Sequence, residues 1–137
     1  MEEDLKIKAL VRSELGLVEE LEGQKESKWY AGLRVLDLCP WKAYGIPGQL
    51  VALFTYDFYL NGWQGHMYAN SAIRGLQAKK LFKKALEMFL QDTGQKGVLG
   101  VTPKEFKSAV VMARALGFKR IRETDELIIS FLSKEDL

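Results

Sequence analysis

The chain has 137 residues, 47% of them hydrophobic and 28% charged, with a formal net charge of +2. That length and apolar content suit one domain with a real core, and the near balance of charge excludes binding to nucleic acid or an anionic membrane by bulk electrostatics. The single cysteine, Cys39, excludes an internal disulfide and points to a reducing, cytoplasmic setting.

In chain order, MEEDLKIKAL is charged and is not a signal peptide, and no later stretch reaches the ~18 apolar residues that a membrane helix needs. Leu5 to Val11 alternates briefly, and Leu15, Val18 and Leu21 recur at helical spacing. These residues predict a short strand and then a helix near Ser13 to Glu22, with the polar stretch Gly23 to Lys28 as a loop. Trp41 to Ile46 reads as a strand, Pro47-Gly48 as a turn, and Leu50 to Tyr59 as a strand apolar at both parities, hence covered on both faces. Asp57 is the one charge in that run and belongs at an exposed end or in a hydrogen bond. Asn61-Gly62 reads as a two-residue hairpin turn leading into Trp63 to Tyr68. The aromatic residues of these runs, and Trp29 before them, are expected mostly in the core, although this many could also line a flat contact surface. Cys39, in its apolar run, reads as a buried, inert thiol.

After Asn70 the period changes to 3.6. Ala78, Leu81, Phe82, Ala85, Leu86 and Phe89 form an apolar stripe opposite Lys79, Lys80, Lys83 and Lys84, so a helix runs from about Arg74 to Gln91 and stops near Gly94. This basic face, and Lys119-Arg120-Arg122 later, read as a solvated helix face and an exposed strand. Val98 to Val101 is a strand candidate. A helix over Pro103 to Leu116 follows, with Thr102 as cap, Pro103 in the first turn and Glu105 completing a capping box. Gly117 supplies a left-handed stop on which Phe118 folds back. Phe118 to Glu123 and Leu127 to Leu132 are the last two strands, joined by a turn at Thr124 to Glu126. Three antiparallel strands, a helical crossover and a further strand make a layered α/β (α+β) domain with a mixed sheet, organised as a single unit over 1–137.

Chemistry-bearing residues are sparse. His66 is the only histidine, and with one cysteine it cannot furnish a zinc shell without carboxylates at unrecognisable spacing, so no metal is expected. There is no P-loop, no dinucleotide GxGxxG and no serine elbow.

The order of elements, together with VLGVTPKEFKSAVVMARALGFKRI, the closing hairpin KRIRETDELIISFL and the turn GIPGQLVALF, resembles the GNAT superfamily of acetyl-CoA-dependent N-acetyltransferases. The resemblance spans about 41–132 and implies a single GNAT-like domain with a mixed, largely antiparallel sheet and helices on both faces. It implies acetyl-CoA as cofactor, its pyrophosphate held by backbone N–H groups where the helix after the fourth strand begins. The matching residues here are Arg74, Gly75, Leu76, Gln77, Ala78 and Lys79, with Tyr68 on the strand before them. Gln77 stands where the family has its first glycine, and Lys79 where it has glycine or alanine. His66 stands on the strand where many members carry a carboxylate base; its imidazole could take the proton of an acceptor amine, and a lone strand histidine could equally be structural. The family's tyrosine acid is replaced by Ala113 and an asparagine near the start of the same helix by Phe106.

Two functions follow from the resemblance. One is an acyl-CoA-dependent N-acyltransferase that moves an acetyl group to an unidentified amine. The alternative is a non-catalytic GNAT-fold binding or assembly module with protein partners or self-association, in the host cytoplasm or the virion, since the small size and the histidine-bearing fourth strand resemble GNAT-like proteins of bacteriophages. Neither reading involves nucleic acid or a membrane.

Overall fold

In a computed structural model, which describes residues 6–23 and 33–137, the chain builds one seven-stranded sheet in the order β1-β2-β3-β4-β5-β7-β6. The strands are β1 (Lys8–Ala9), β2 (Trp41–Ile46), β3 (Leu50–Asp57), β4 (Gly62–Ala69), β5 (Gly97–Pro103), β6 (Lys119–Glu123) and β7 (Leu127–Ser133). The helices are α1 (Gly16–Gly23), α2 (Gly75–Thr93) and α3 (Lys107–Leu116). Every neighbouring pair is antiparallel except β4 and β5, which are parallel and joined by the α2 crossover. This is the mixed, largely antiparallel GNAT-like architecture expected from the order of elements.

Two apolar layers hold the sheet. On one face β3 contributes Leu50, Ala52 and Phe54, which pack with α2's stripe of Leu81, Phe82, Ala85, Leu86 and Phe89. On the other, Val51 and Leu53 pack with Leu15, Leu17 and Val18 around α1. Leu50 through Phe54 are therefore all sealed from solvent, as an uninterrupted apolar strand requires. Phe89 stacks on Phe54 with ring centroids 4.1 Å apart and meets Trp63 and Tyr44 edge-on. Tyr44 is buried to 2% exposure and its hydroxyl donates to the Asp92 carboxylate at 2.9 Å, which ties β2 to the last turn of α2. Burial, and secondarily the Asp92 charge, push that phenol's pKa above its ordinary value.

Four expectations need correction. The opening strand shrinks to β1, because Arg12 to Glu14 turn as a 3-10 segment and α1 starts only at Gly16. The polar loop expected over Gly23 to Lys28 begins inside α1, which includes Gly23; the rest of it, and Trp29, lie outside the described residues. The β3–β4 hairpin closes at Asp57 opposite Gly62 through a four-residue loop, not a two-residue turn, so Phe58 and Tyr59 lie exposed in that loop and not in a strand covered on both faces. Asp57 explains this: its carboxylate accepts from the N–H groups of Tyr59 and Leu60, at 2.8 and 2.9 Å, and only Asn61 takes a positive φ. Finally, α3 does not start at Pro103. The β5–β7 ladder continues to Pro103 opposite Leu127, burying the proline, and Lys104 N–H bonds Glu126 C=O. Phe106 therefore precedes the helix, and the Thr102–Glu105 cap does not form. Strand pairing outcompetes a local cap.

The far end of α3 is as expected. Gly117 has φ +105, its N–H bonds Arg114 C=O and the Phe118 N–H bonds Ala113 C=O, the paired bonds of a Schellman stop. Cys39 is half-buried and not fully enclosed; its thiol donates to Val35 C=O at 3.2 Å, and desolvation raises its pKa, which keeps it protonated and unreactive. Both basic clusters lie on solvent, and β6, at the sheet's edge, is exposed along its whole length, with a register shift between Arg120 and Arg122.

The core reading is testable at its centre. Phe89→Ala removes a ring that three aromatic neighbours surround and should lower unfolding free energy by about 3–5 kcal/mol in urea titrations, with an unchanged m-value.

Candidate functional site

The site begins where β4 and β5 stop pairing. They run side by side in the same direction, but their ladder is confined to the position where Gln64 faces Leu99. Close approach there depends on glycine: a Cβ at Gly62 would lie 2.9 Å from Leu99 Cδ1, and one at Gly65 would lie 3.2 Å from Val98 Cγ1. Beyond Gln64 and Leu99 no further ladder pair joins the two strands toward their carboxyl ends. Ligands in α/β folds favour such carboxyl ends, outside adjacent parallel strands.

Each of the two strands feeds a helix. After β4, Asn70 closes the connecting turn by accepting from Ala72 N–H and donating to Gly48 C=O, and α2 begins. Arg74 is its N-cap in an extended conformation with no side-chain cap, and Gly75 follows at φ +58. The backbone N–H groups of Gly75, Leu76 and Gln77 are therefore open to an outside acceptor at the positive end of a 19-residue helix. Gln77's side chain is exposed and points away from the core that Ala78 enters. An apolar groove runs between the first turns of α2 and the flank of α3, floored by Leu76, Val111 and Met112 and rimmed by Lys79 and Lys107. Leu76 and Val111 are 66% and 65% exposed, unusual for large apolar residues unless something covers them.

The structure thus brings Arg74, Gly75, Leu76, Gln77 and Lys79 together at one helix start. Tyr68 stands apart from them: it is 5% exposed and packs in the α1-side core with Leu53 and Val51. His66, two residues nearer the junction, shares Tyr68's face by strand alternation, while Trp63 and Met67 point to the α2 side. Its Nε2 lies 3.1 Å from Oγ1 of buried Thr55. The ring is half-buried, and desolvation pulls its pKa from 6.5 to about 4 against the weaker opposing pull of Asp57. The imidazole is therefore neutral at physiological pH. Ala113 and Phe106 carry no group that could protonate a leaving thiolate, and among the described residues no cluster of histidine, cysteine or carboxylates could hold a metal.

Four residues of the candidate site escape sequence reading: Thr55, Lys107, Val111 and Met112. Thr55 meets His66 only through the four-residue hairpin register. The α3 residues meet the groove only because the helix starts late.

No family model matches the sequence, and no curated protein aligns with it. Solved structures do. The spermidine N-acetyltransferase of Vibrio cholerae in complex with CoA and spermine superposes with a TM-score of 0.68 at 12% identity, covering 96% of each chain. The Campylobacter jejuni N-acetyltransferase PseH in complex with acetyl coenzyme A superposes with a TM-score of 0.65 at 15% identity, covering 95% of this chain and 99% of that one. At these identities the likeness establishes the fold. It gives the bacteriophage and virion-assembly expectations no support.

The histidine's environment sets a pH signature. Because its folded pKa lies below its unfolded one, the stability tied to neutral His66 is fully present above about pH 6.5 and is lost as pH falls toward about 4. The loss should be on the order of 3 kcal/mol across that window and should largely vanish in His66→Gln, as read by urea unfolding at each pH. With one histidine in the chain, its NMR titration is unambiguous.

Proposed function

We propose that this protein is an acyl-CoA-dependent N-acyltransferase that moves an acetyl group to an amine. The observation that carries the reading is the one-position β4–β5 ladder beside the uncapped start of α2, where a long thioester cofactor would find both an entry and an anchor. Two solved proteins of the same fold are in complex with CoA or acetyl-CoA, and one of them also with an amine, spermine.

The residues present fit that cofactor. The N–H groups of Gly75, Leu76 and Gln77 would take pyrophosphate oxygens, with Arg74 and Lys79 supplying countercharge. The Leu76–Val111–Met112 floor would cover the nucleoside, and Lys107 would face its phosphate. Gln77 and Lys79, despite replacing the family's small residues, leave the backbone donors clear because Gln77 turns to solvent and Gly75 absorbs the sharp entry. Acetyl-CoA would supply an activated carbonyl on a thiol leaving group.

The chain's own groups then divide the work across the sheet. Cofactor residues sit on the α2–α3 face, while His66 stands on the α1 face, two residues beyond Gln64. An acceptor arriving on that face as an ammonium must lose a proton before its nitrogen can attack. Neutral His66, its ring oriented by Thr55, would accept the proton that the nitrogen sheds as the C–N bond forms. Backbone N–H groups of β4 beyond its ladder with β5 would receive the carbonyl oxygen as charge develops on it. No side chain replaces the tyrosine acid, so the thiolate leaves without protonation by the enzyme and takes its proton from solvent.

Acetyl-CoA at a hundred times its Kd should stabilise the native chain by about 2.7 kcal/mol. Val111→Asp, which puts a charge on the groove floor, should weaken that binding at least tenfold. An absence of any thermal shift with millimolar acetyl-CoA would refute the reading. Given binding and a competent amine, His66→Ala should cut kcat by roughly 100-fold or more, and the wild-type acid limb should lie well below pH 6.5; a loss under threefold would leave His66 structural.

A further inference from the structure

The second unassigned space lies on the other side of α3. Only Leu116 of that helix is buried, although Val110, Ala113 and Arg114 look toward the strands. Helix and sheet leave between them a cleft of about 230 Å³, walled by Val110, Phe118 and Ile128 and reached by Arg114, Thr102 and Ser130, with Arg120 at its edge. Its floor is a cross-strand row formed by Gly100 on β5, Ser130 on β7 and Arg120 on β6. Gly100 keeps the floor low: a Cβ there would stand 2.9 Å from Ser130 Oγ and 3.2 Å from the Phe118 ring. Helix–sheet interfaces normally fill with interdigitated apolar side chains. This one places glycine, two hydroxyls and two guanidinium groups where that filling belongs.

The charges are unequally satisfied. Arg120 meets the Glu123 carboxylate at 3.3 Å, and Lys104 reaches the same carboxylate at 2.7 Å, which together hold its pKa below the usual carboxylate range. Arg114 has no acidic partner among the described residues. Ser130 Oγ donates to Gly100 C=O over 3.5 Å, a long bond that is easily exchanged for a better acceptor. The cleft therefore offers one unpaired guanidinium and two hydroxyl donors set among apolar walls.

We propose that this cleft binds a small carboxylate with an apolar body, its head group held by Arg114 and the hydroxyls of Thr102 and Ser130. A planar guanidinium matches a carboxylate through two parallel hydrogen bonds. The volume falls below the roughly 300–1,000 Å³ of sites for drug-sized ligands, which limits the body to a single ring or a short branched chain. Inorganic phosphate would leave the Val110, Phe118 and Ile128 walls unused, and Glu123 beside Arg120 opposes a dianion more than a monoanion. The proposal is independent of the acyl-transfer reading, because the groove shared with α2 uses the flank of α3 that carries Lys107, Val111 and Met112.

Isothermal titration of the full chain with benzoate, benzamide and inorganic phosphate tests it. Benzoate should bind with one-to-one stoichiometry, and benzamide, the same ring without the charge, should not. Arg114→Ala should weaken benzoate binding by about tenfold or more while the thermal transition stays cooperative. Ala113→Leu, which grows a side chain into the cleft from a helix that favours leucine, should abolish binding without loss of fold. No benzoate binding by the folded wild type, full binding by both variants, or phosphate binding as tight as benzoate would each overturn the proposal.

Discussion

The single parallel contact between β4 and β5 is the constraint on which the rest depends. Parallel neighbours cannot be joined by a hairpin, so the chain must cross over, and α2 is that crossover. The crossover lays Phe82, Ala85, Leu86 and Phe89 across the sheet and so builds the larger core. Glycines at 62 and 65 allow the backbones to approach, and the ladder then ends almost at once. A sheet paired evenly along these strands would leave no stretch of β4 and β5 free of that ladder. A sheet not paired here at all would lose the close packing of Val98 and Leu99 against β4.

Because the sheet separates two apolar layers, its two faces hold different chemistry. The α2–α3 face offers helix-start donors, lysines and an uncovered apolar floor, a combination suited to a phosphorylated cofactor with a flat base. The α1 face offers a half-buried imidazole hydrogen-bonded to a buried threonine. Desolvation is the dominant cause of that histidine's neutrality, and Asp57 opposes it too weakly to restore the charge. The ring stays neutral because protein has replaced part of the water that would stabilise its charge.

What could be read from the sequence divides along the same physical lines. The central strand β3 and the extent of α2 were legible because burial on both faces leaves an uninterrupted apolar run at Leu50–Phe54 and burial on one face imposes a period of 3.6 over Leu81–Phe89. The Gly117 stop was legible because it is satisfied by the local chain. The start of α3 was not, since a good local cap at Thr102 lost to a ladder whose partner, Leu127, lies far along the chain. The same holds for the candidate site. Arg74 to Lys79 were found from their order along the chain. The Thr55–His66 bond depends on register, and a two-residue turn would set Thr55 opposite Tyr68, whereas the Asp57-stabilised loop sets it opposite Gln64. Residue order announces elements; loop geometry decides which side chains meet.

The two borders of the sheet share a final consequence. At one side β1 offers only two residues, and at the other β6 presents Lys119, Arg120, Arg122 and Glu123 around a break in its own register. A neighbouring chain seeking to extend the sheet would meet too little backbone on the first side and a misaligned, like-charged ribbon on the second. Among the described residues, neither border of the sheet favours growth into cross-strand fibres. Any assembly the chain forms has to be built from side-chain surfaces, such as the flanks of α3, and not from the hydrogen bonds that strand edges leave free.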